Sequence, residues 1–161
     1  MSKIVSDIRS LIGNTPLFEI VNIEKKLNLK SKVYVKLESF NPGGSIKDRA
    51  SLYMIEKAIE EGYINSDTHI CEATSGNTGI GIAMLCASKG LKCTIIMSEG
   101  MSEERVKILR QYGANVILTL KEKGMKGAID ELESIKKNDS NIFIPNQFEN
   151  ENNLYAHYMT T

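Results

Sequence analysis

Cysteine, excess charge and long apolar runs are all scarce in this chain of 161 residues. Three cysteines, Cys71, Cys86 and Cys93, lie far apart with no C-x-x-C pair. An odd count without a framework argues against a disulfide scaffold and against a zinc site. Each thiol has apolar neighbours and reads as a buried structural residue. The histidines His69 and His157 fall at no metal-ligand spacing, so no metal is expected. Lys+Arg 20 balances Asp+Glu 20. Without a basic excess, neither nucleic acid nor an anionic membrane is an expected partner. No apolar run approaches a membrane span and no signal-like apolar stretch opens the chain, which makes the cytoplasm the expected location. No repeat or low-complexity tract is present, and the polar stretch Asn150–Asn153 reads as a loop.

What is present is alternation of two periodicities. The hydrophobic fraction is 42% and the length suffices for one domain with a core. Val33–Leu37 alternates with β-branched residues and predicts a strand. Ile46, Ala50, Met54, Ile55, Ala58 and Ile59 keep helical spacing up to Gly62, a natural stop. Further strands are predicted at His69–Glu72, Cys93–Met97, Asn115–Leu118 and Asn141–Ile144. Further helices are predicted at Thr78–Lys89, closed by Gly90, at Ser102–Tyr112 with Ser102 as N-cap, and at Lys126–Lys137. Alternating strand and helix implies a parallel sheet covered on both faces, with ligands beyond the carboxyl ends of its strands.

Two glycine-rich turns sit at predicted strand-to-helix junctions, where they would line that crevice. The first, Asn41-Pro-Gly-Gly-Ser-Ile-Lys-Asp-Arg49, places Lys47 at the head of a helix. A lysine amine can form a Schiff base with a carbonyl, and glycines let backbone approach a flat ligand. A lysine at a helix start is, by itself, usually a solvated charge. The second junction runs from Glu72 through Ala-Thr-Ser-Gly-Asn-Thr-Gly-Ile to Gly81. Backbone N–H groups there, with the hydroxyls of Thr74, Ser75 and Thr78, suit a carboxylate or phosphate. A simple N-cap needs only one such side chain.

Asn41–Arg49 and Thr74–Gly79 together resemble the cysteine synthases (O-acetylserine sulfhydrylases), which are fold-type II pyridoxal phosphate (PLP) enzymes; cystathionine β-synthases share most of the pattern. Ile12–Leu17, Met101–Arg105 with Arg110–Ala114, Gly124–Ala128 and Asn146–Asn150 match in the same order. The resemblance runs from about Ile12 to the C-terminus. It implies an α/β fold, a three-layer sandwich with a central parallel sheet, consisting mainly of the family's small domain. Residues 1–40 would belong to the larger domain, 41–145 to the small α/β domain, and 146–161 to the start of the larger one.

The resemblance also implies roles. Lys47 would hold PLP and later move the substrate's α-proton. Asn77 would hydrogen-bond the PLP ring hydroxyl. Thr74, Ser75, Gly76, Thr78 and Gln147 would bind the substrate carboxylate, and closure over it would exclude water. The implied reaction makes L-cysteine from O-acetyl-L-serine and sulfide. A homodimer and serine acetyltransferase are the implied protein partners. Asn14, Thr15 and Pro16 read as a turn, Asp48 and Arg49 as partners of backbone or neighbours, and His157 receives no catalytic role. Ala73 and Glu151 stand where the family usually has proline, which loosens both turns.

The chain ends about halfway along the family's usual length, before the loop expected to hold the PLP phosphate. Weak PLP binding and little turnover are therefore expected of it alone. Two other readings stay open: a cysteine-consuming, sulfide-producing PLP enzyme, including cystathionine β-synthase-like chemistry, and a non-catalytic truncated paralogue acting as a binding module.

Overall fold

The computed structural model describes residues 4–161. Its centre is a four-stranded sheet of β3 (His69–Ala73), β4 (Lys92–Ser98), β5 (Asn115–Thr119) and β6 (Ile142–Phe143). The spatial order is β5-β4-β3-β6, and every neighbouring pair is parallel. Near-continuous apolar runs such as Ile70–Cys71 and Cys93–Met97 suit strands covered on both faces.

Helices supply that cover. α2 (Lys47–Glu60), α3 (Asn77–Lys89) and α4 (Glu103–Gln111) contribute Ile55, Ile82, Leu85 and Leu109 to a core with Ile70, Ile95 and Met97. On the opposite face Ala128 and Leu132 of α5 (Gly124–Asn138) pack on Cys71, Ala73 and Ile96. Successive strand residues point to opposite faces, so Ile95 and Ile96 serve different cores. This is the three-layer α/β sandwich expected from the alternation. All three cysteines are buried and free. Among the described residues, no helix is long and apolar enough to cross a membrane.

Three expectations need correction. The strand predicted at Val33–Leu37 forms, as β2 (Tyr34–Lys36), but it pairs antiparallel with β1 (Leu17–Glu19) in a separate two-stranded sheet. Alternation marks a strand without saying which neighbour it takes. The first glycine-rich turn therefore does not follow a strand of the central sheet. Next, Asn150–Asn153 is not a loop. Asn150 Oδ1 accepts the Asn152 N–H at 3.0 Å, an N-cap bond, and α6 (Glu151–Thr160) follows. Finally, Ser102 occupies the N-cap position of α4, yet its side chain makes no cap bond. A short helix, α1 (Val21–Lys26), lies where no element was expected.

Candidate functional site

α2 and α3 pack against each other, and both begin at the candidate residues. Their approach is close: a Cβ placed on Gly81 would lie 2.6 Å from Ser51 Oγ and 3.3 Å from the Lys47 carbonyl oxygen. The glycine is what lets the start of α2 rest on α3.

Lys47 is the first residue of α2, and its backbone N–H donates to Ser45 Oγ at 3.1 Å. The turn before it is fastened by Asp48, whose Oδ2 accepts the Gly43 N–H at 2.6 Å. A Cβ at Gly43 would meet Asp48 Oδ1 at 2.5 Å, and Gly44 has φ +81. Neither position tolerates a side chain without a shift. Asp48 is fully buried, and Oδ1 has no hydrogen-bond partner. Burial pushes its carboxyl up to about 6 against the pull of the Gly43 N–H.

The neighbouring Arg49 is buried in a polar knot. Its guanidinium donates to Glu38 at 2.8 and 2.9 Å, to Thr15 Oγ1 at 3.1 Å and to the Thr160 carbonyl at 2.5 Å. Glu38 in turn accepts from Thr15 and Asn41, while Asn41 Oδ1 accepts the Gly13 N–H. The guanidinium holds the Glu38 carboxyl at about 2. Thr15, Asp48 and Arg49 are thus structural, as the sequence suggested.

The Lys47 side chain is half-buried, and among the described residues its ammonium has no hydrogen-bond or ion-pair partner. It lines a cleft of about 390 Å³ with Gln147, Phe148, Asn153, Leu154 and His157. Desolvation, then the Lys47 and Arg49 charges, keep the His157 pKa below its ordinary value. A larger hollow of about 550 Å³ lies between Asp7–Ser10, α2 and Tyr155. Its charges are already satisfied, because Arg9 pairs with both Asp7 and Glu56.

At the second junction, Thr74 extends the ladder of β3 by donating its N–H to the Ile96 carbonyl at 3.0 Å. Thr78 Oγ1 donates to Gln147 Oε1 at 2.5 Å, and Gln147 Nε2 donates to Thr74 Oγ1 at 3.5 Å. The Gly76 N–H points to Thr74 Oγ1 at 3.4 Å. Thr74, Gly76, Thr78 and Gln147 are therefore one cluster, assembled from positions 69 and 73 residues apart. Gly76 is the N-cap residue of α3 without a side-chain cap bond, so the first N–H groups of the helix remain available to an anion. Ser75 is half-buried and Asn77 exposed. Among the described residues, neither side chain is engaged in a hydrogen bond.

Two features escaped the sequence reading. His157 reaches the Lys47 cleft because α6 lies along α2. Glu72, just upstream of the loop, is 5% exposed with Oε2 lacking any partner. Only an unpaired acid inside an apolar strand signalled it.

The residues 8–161 match the family described as pyridoxal-phosphate dependent enzyme. A cysteine synthase of Flavobacterium sp. is 49% identical over 150 residues, covering 93% of this chain and 48% of the relative. A cysteine synthase of Staphylococcus aureus is 47% identical over 159 residues, covering 99% of this chain and 50% of the relative. Among solved structures, a hydrogen sulfide-producing enzyme from Fusobacterium nucleatum superposes with TM-score 0.92 at 51% identity, covering 99% of this chain and 51% of that one. The chain spans about half the length of the curated relatives it matches. By its sequence and its fold alike, the chain belongs to the pyridoxal-phosphate dependent enzymes, whose cofactor is pyridoxal phosphate.

Proposed function

We propose that this chain carries the lysine and the carboxylate-binding loop of a PLP-dependent β-replacement enzyme that forms L-cysteine from O-acetyl-L-serine and sulfide. The observation that carries the reading is the Thr74–Gln147–Thr78 cluster beside the unpartnered Lys47: Gln147 belongs both to the cluster and to the Lys47 cleft. The residues fit the cofactor. An amine without a competing partner is available to an aldehyde. A Cβ at Gly76 would meet nothing within 4 Å, so the space beside that residue is open.

Bound PLP supplies an electron sink for charge developing at the substrate Cα. The chain's own residues then divide the work. Lys47 Nζ would hold the cofactor and carry the α-proton. Asn77, exposed at the first residue of α3, would hydrogen-bond the ring hydroxyl. Thr74, Ser75, Gly76 and Thr78 present hydroxyls and N–H groups to the substrate carboxylate at a helix N-terminus, where an anion is stabilised. Gln147, held on Thr74 and Thr78, would add its amide N–H to the same carboxylate.

Residues 41–145 are proposed as the small domain, with 1–40 and 146–161 belonging to a larger one. The partners that go with this reading are an amino-acid substrate, sulfide, a second copy of the chain and serine acetyltransferase. A cytoplasmic enzyme is proposed on the same ground. Cysteine formation from O-acetylserine and sulfide, assayed with and without Lys47→Ala, tests the reading: activity that survives the substitution would falsify it.

A second reading has support of its own. The relative of known structure at 51% identity is a hydrogen sulfide-producing enzyme. The same lysine and loop would serve cysteine as substrate. Sulfide release from cysteine, measured against cysteine formation under identical conditions, separates the two directions.

A further inference from the structure

Glu72 is a buried acid that the proposed reaction does not use. It lies one residue before the end of β3, opposite Ile95 of β4 in register. The residue is 5% exposed, and Oε2 is buried with no partner. Burying an acid this way is costly unless donors lie near it.

The chain that leaves β6 supplies such donors. β6 runs parallel to β3 with His69 opposite Ile142 and Ile70 opposite Phe143. The same offset of 73 residues relates Thr74 to Gln147, which are hydrogen-bonded. The segment after β6 therefore continues alongside β3, level with Glu72. Here the backbone is unusual: Asn146 has φ +49, a left-handed conformation that costs a non-glycine residue about 1 kcal/mol. The Asn146 and Gln147 N–H groups find no carbonyl acceptor among the described residues, although the Asn146 carbonyl accepts from Glu149 and Asn150. Burial pushes the Glu72 carboxyl up to about 7, and the nearby Asn146, Gln147 and Ala73 N–H groups offset part of that rise.

We propose that Glu72 is a positioning residue: it fastens the Asn146–Gln147 backbone to the end of β3, so that the Gln147 amide stays on Thr74 and Thr78. The inference rests on the reading of that cluster as the carboxylate site. It names Glu72 as the contact that ties the site across the proposed domain boundary at 145/146.

The test is amide hydrogen exchange on the chain itself, compared for the wild type, Glu72→Gln and Glu72→Met. In the wild type, the Asn146 and Gln147 amides are expected to exchange at least about tenfold more slowly than that of Phe148, as N–H groups held by an acceptor do. Glu72→Met removes the acceptor, and protection at both amides should fall about tenfold while Ile95 and Ile96 keep theirs. Glu72→Gln keeps an acceptor oxygen and should stay within about threefold of the wild type. A purely space-filling role would be served as well by Met as by Gln. Equal protection in Met and wild type, or equal loss in Gln and Met, overturns the proposal. So does fast exchange of Asn146 and Gln147 in the wild type, which decides the matter even where Glu72→Met does not fold. None of these readouts depends on turnover, so failure of the positioning role and failure of the proposed reaction remain distinguishable.

Discussion

The candidate site is held by two acids, one buried and one half-buried, that behave in opposite ways. Asp48 is fully buried, and burial raises its carboxyl from 3.8 to about 6. The folded state thus binds the proton more tightly than the unfolded state. Its contribution is full below the unfolded value and lost as pH rises through about 6. That loss is on the order of 3 kcal/mol. Asp48→Asn keeps an acceptor for the Gly43 N–H and removes the charge, so urea midpoints should fall less between pH 4 and pH 6 in the variant. Parallel pH profiles would contradict the assignment. Glu38 runs the other way: the Arg49 guanidinium beside it lowers its carboxyl to about 2, and that stability is lost as pH falls below the usual carboxylate range. Arg49→Ala removes the charged donor of the half-buried Glu38, leaving it only Thr15 and Asn41, and the side-chain donor to the Thr160 carbonyl. A loss of about 3–5 kcal/mol is expected in chemical denaturation, with the end of α6 exchanging first. Lys47→Ala, by contrast, removes a half-buried, unpartnered amine and should change stability by less than about 0.5 kcal/mol.

At the scale of elements, helix and strand periods located the central sheet, α2 through α5 and the two loops that carry Lys47 and Thr74–Thr78. Spacing within a loop is local, so the chain itself records it. The site's other half is not local. Gln147 meets Thr78 across 69 residues, because β6 pairs with β3 and carries the chain after it alongside the end of β3. Local spacing does not announce such pairings; the family resemblance alone joins Gln147 to Thr74 and Thr78. The antiparallel partner of β2 escaped for the same reason. α6 escaped because its sequence has little amphipathic pattern: the asparagines of its first turn read as loop, and their capping use appears only in place. Asn150→Ala should therefore cost about 1 kcal/mol in urea unfolding, as loss of an N-cap does. Gly81→Ala tests how α2 rests on α3. The new methyl meets Ser51 Oγ and the Lys47 carbonyl, and a loss of about 1–3 kcal/mol is expected.

At the scale of the whole molecule, a three-layer sandwich with a separate two-stranded sheet presents one candidate edge. The carboxyl end of β3, the starts of α2 and α3, and the turn after β6 converge there, as ligand sites do in parallel sheets. Beside that edge, α6 and the turn before it expose Phe148, Leu154 and Tyr158, at 85%, 76% and 84%. Exposed apolar residues in such proximity are a surface that gains by being covered. The central claim concerns Lys47 among the many lysines of the chain, and covalent labelling examines it most directly. The chain is incubated with PLP at neutral pH, treated with borohydride to make the attachment permanent, digested and mapped by mass. The expected result is pyridoxyl label concentrated on Lys47, lost in Lys47→Ala and not regained elsewhere. Label spread evenly over exposed lysines such as Lys30 and Lys107, unchanged by Lys47→Ala, would contradict it.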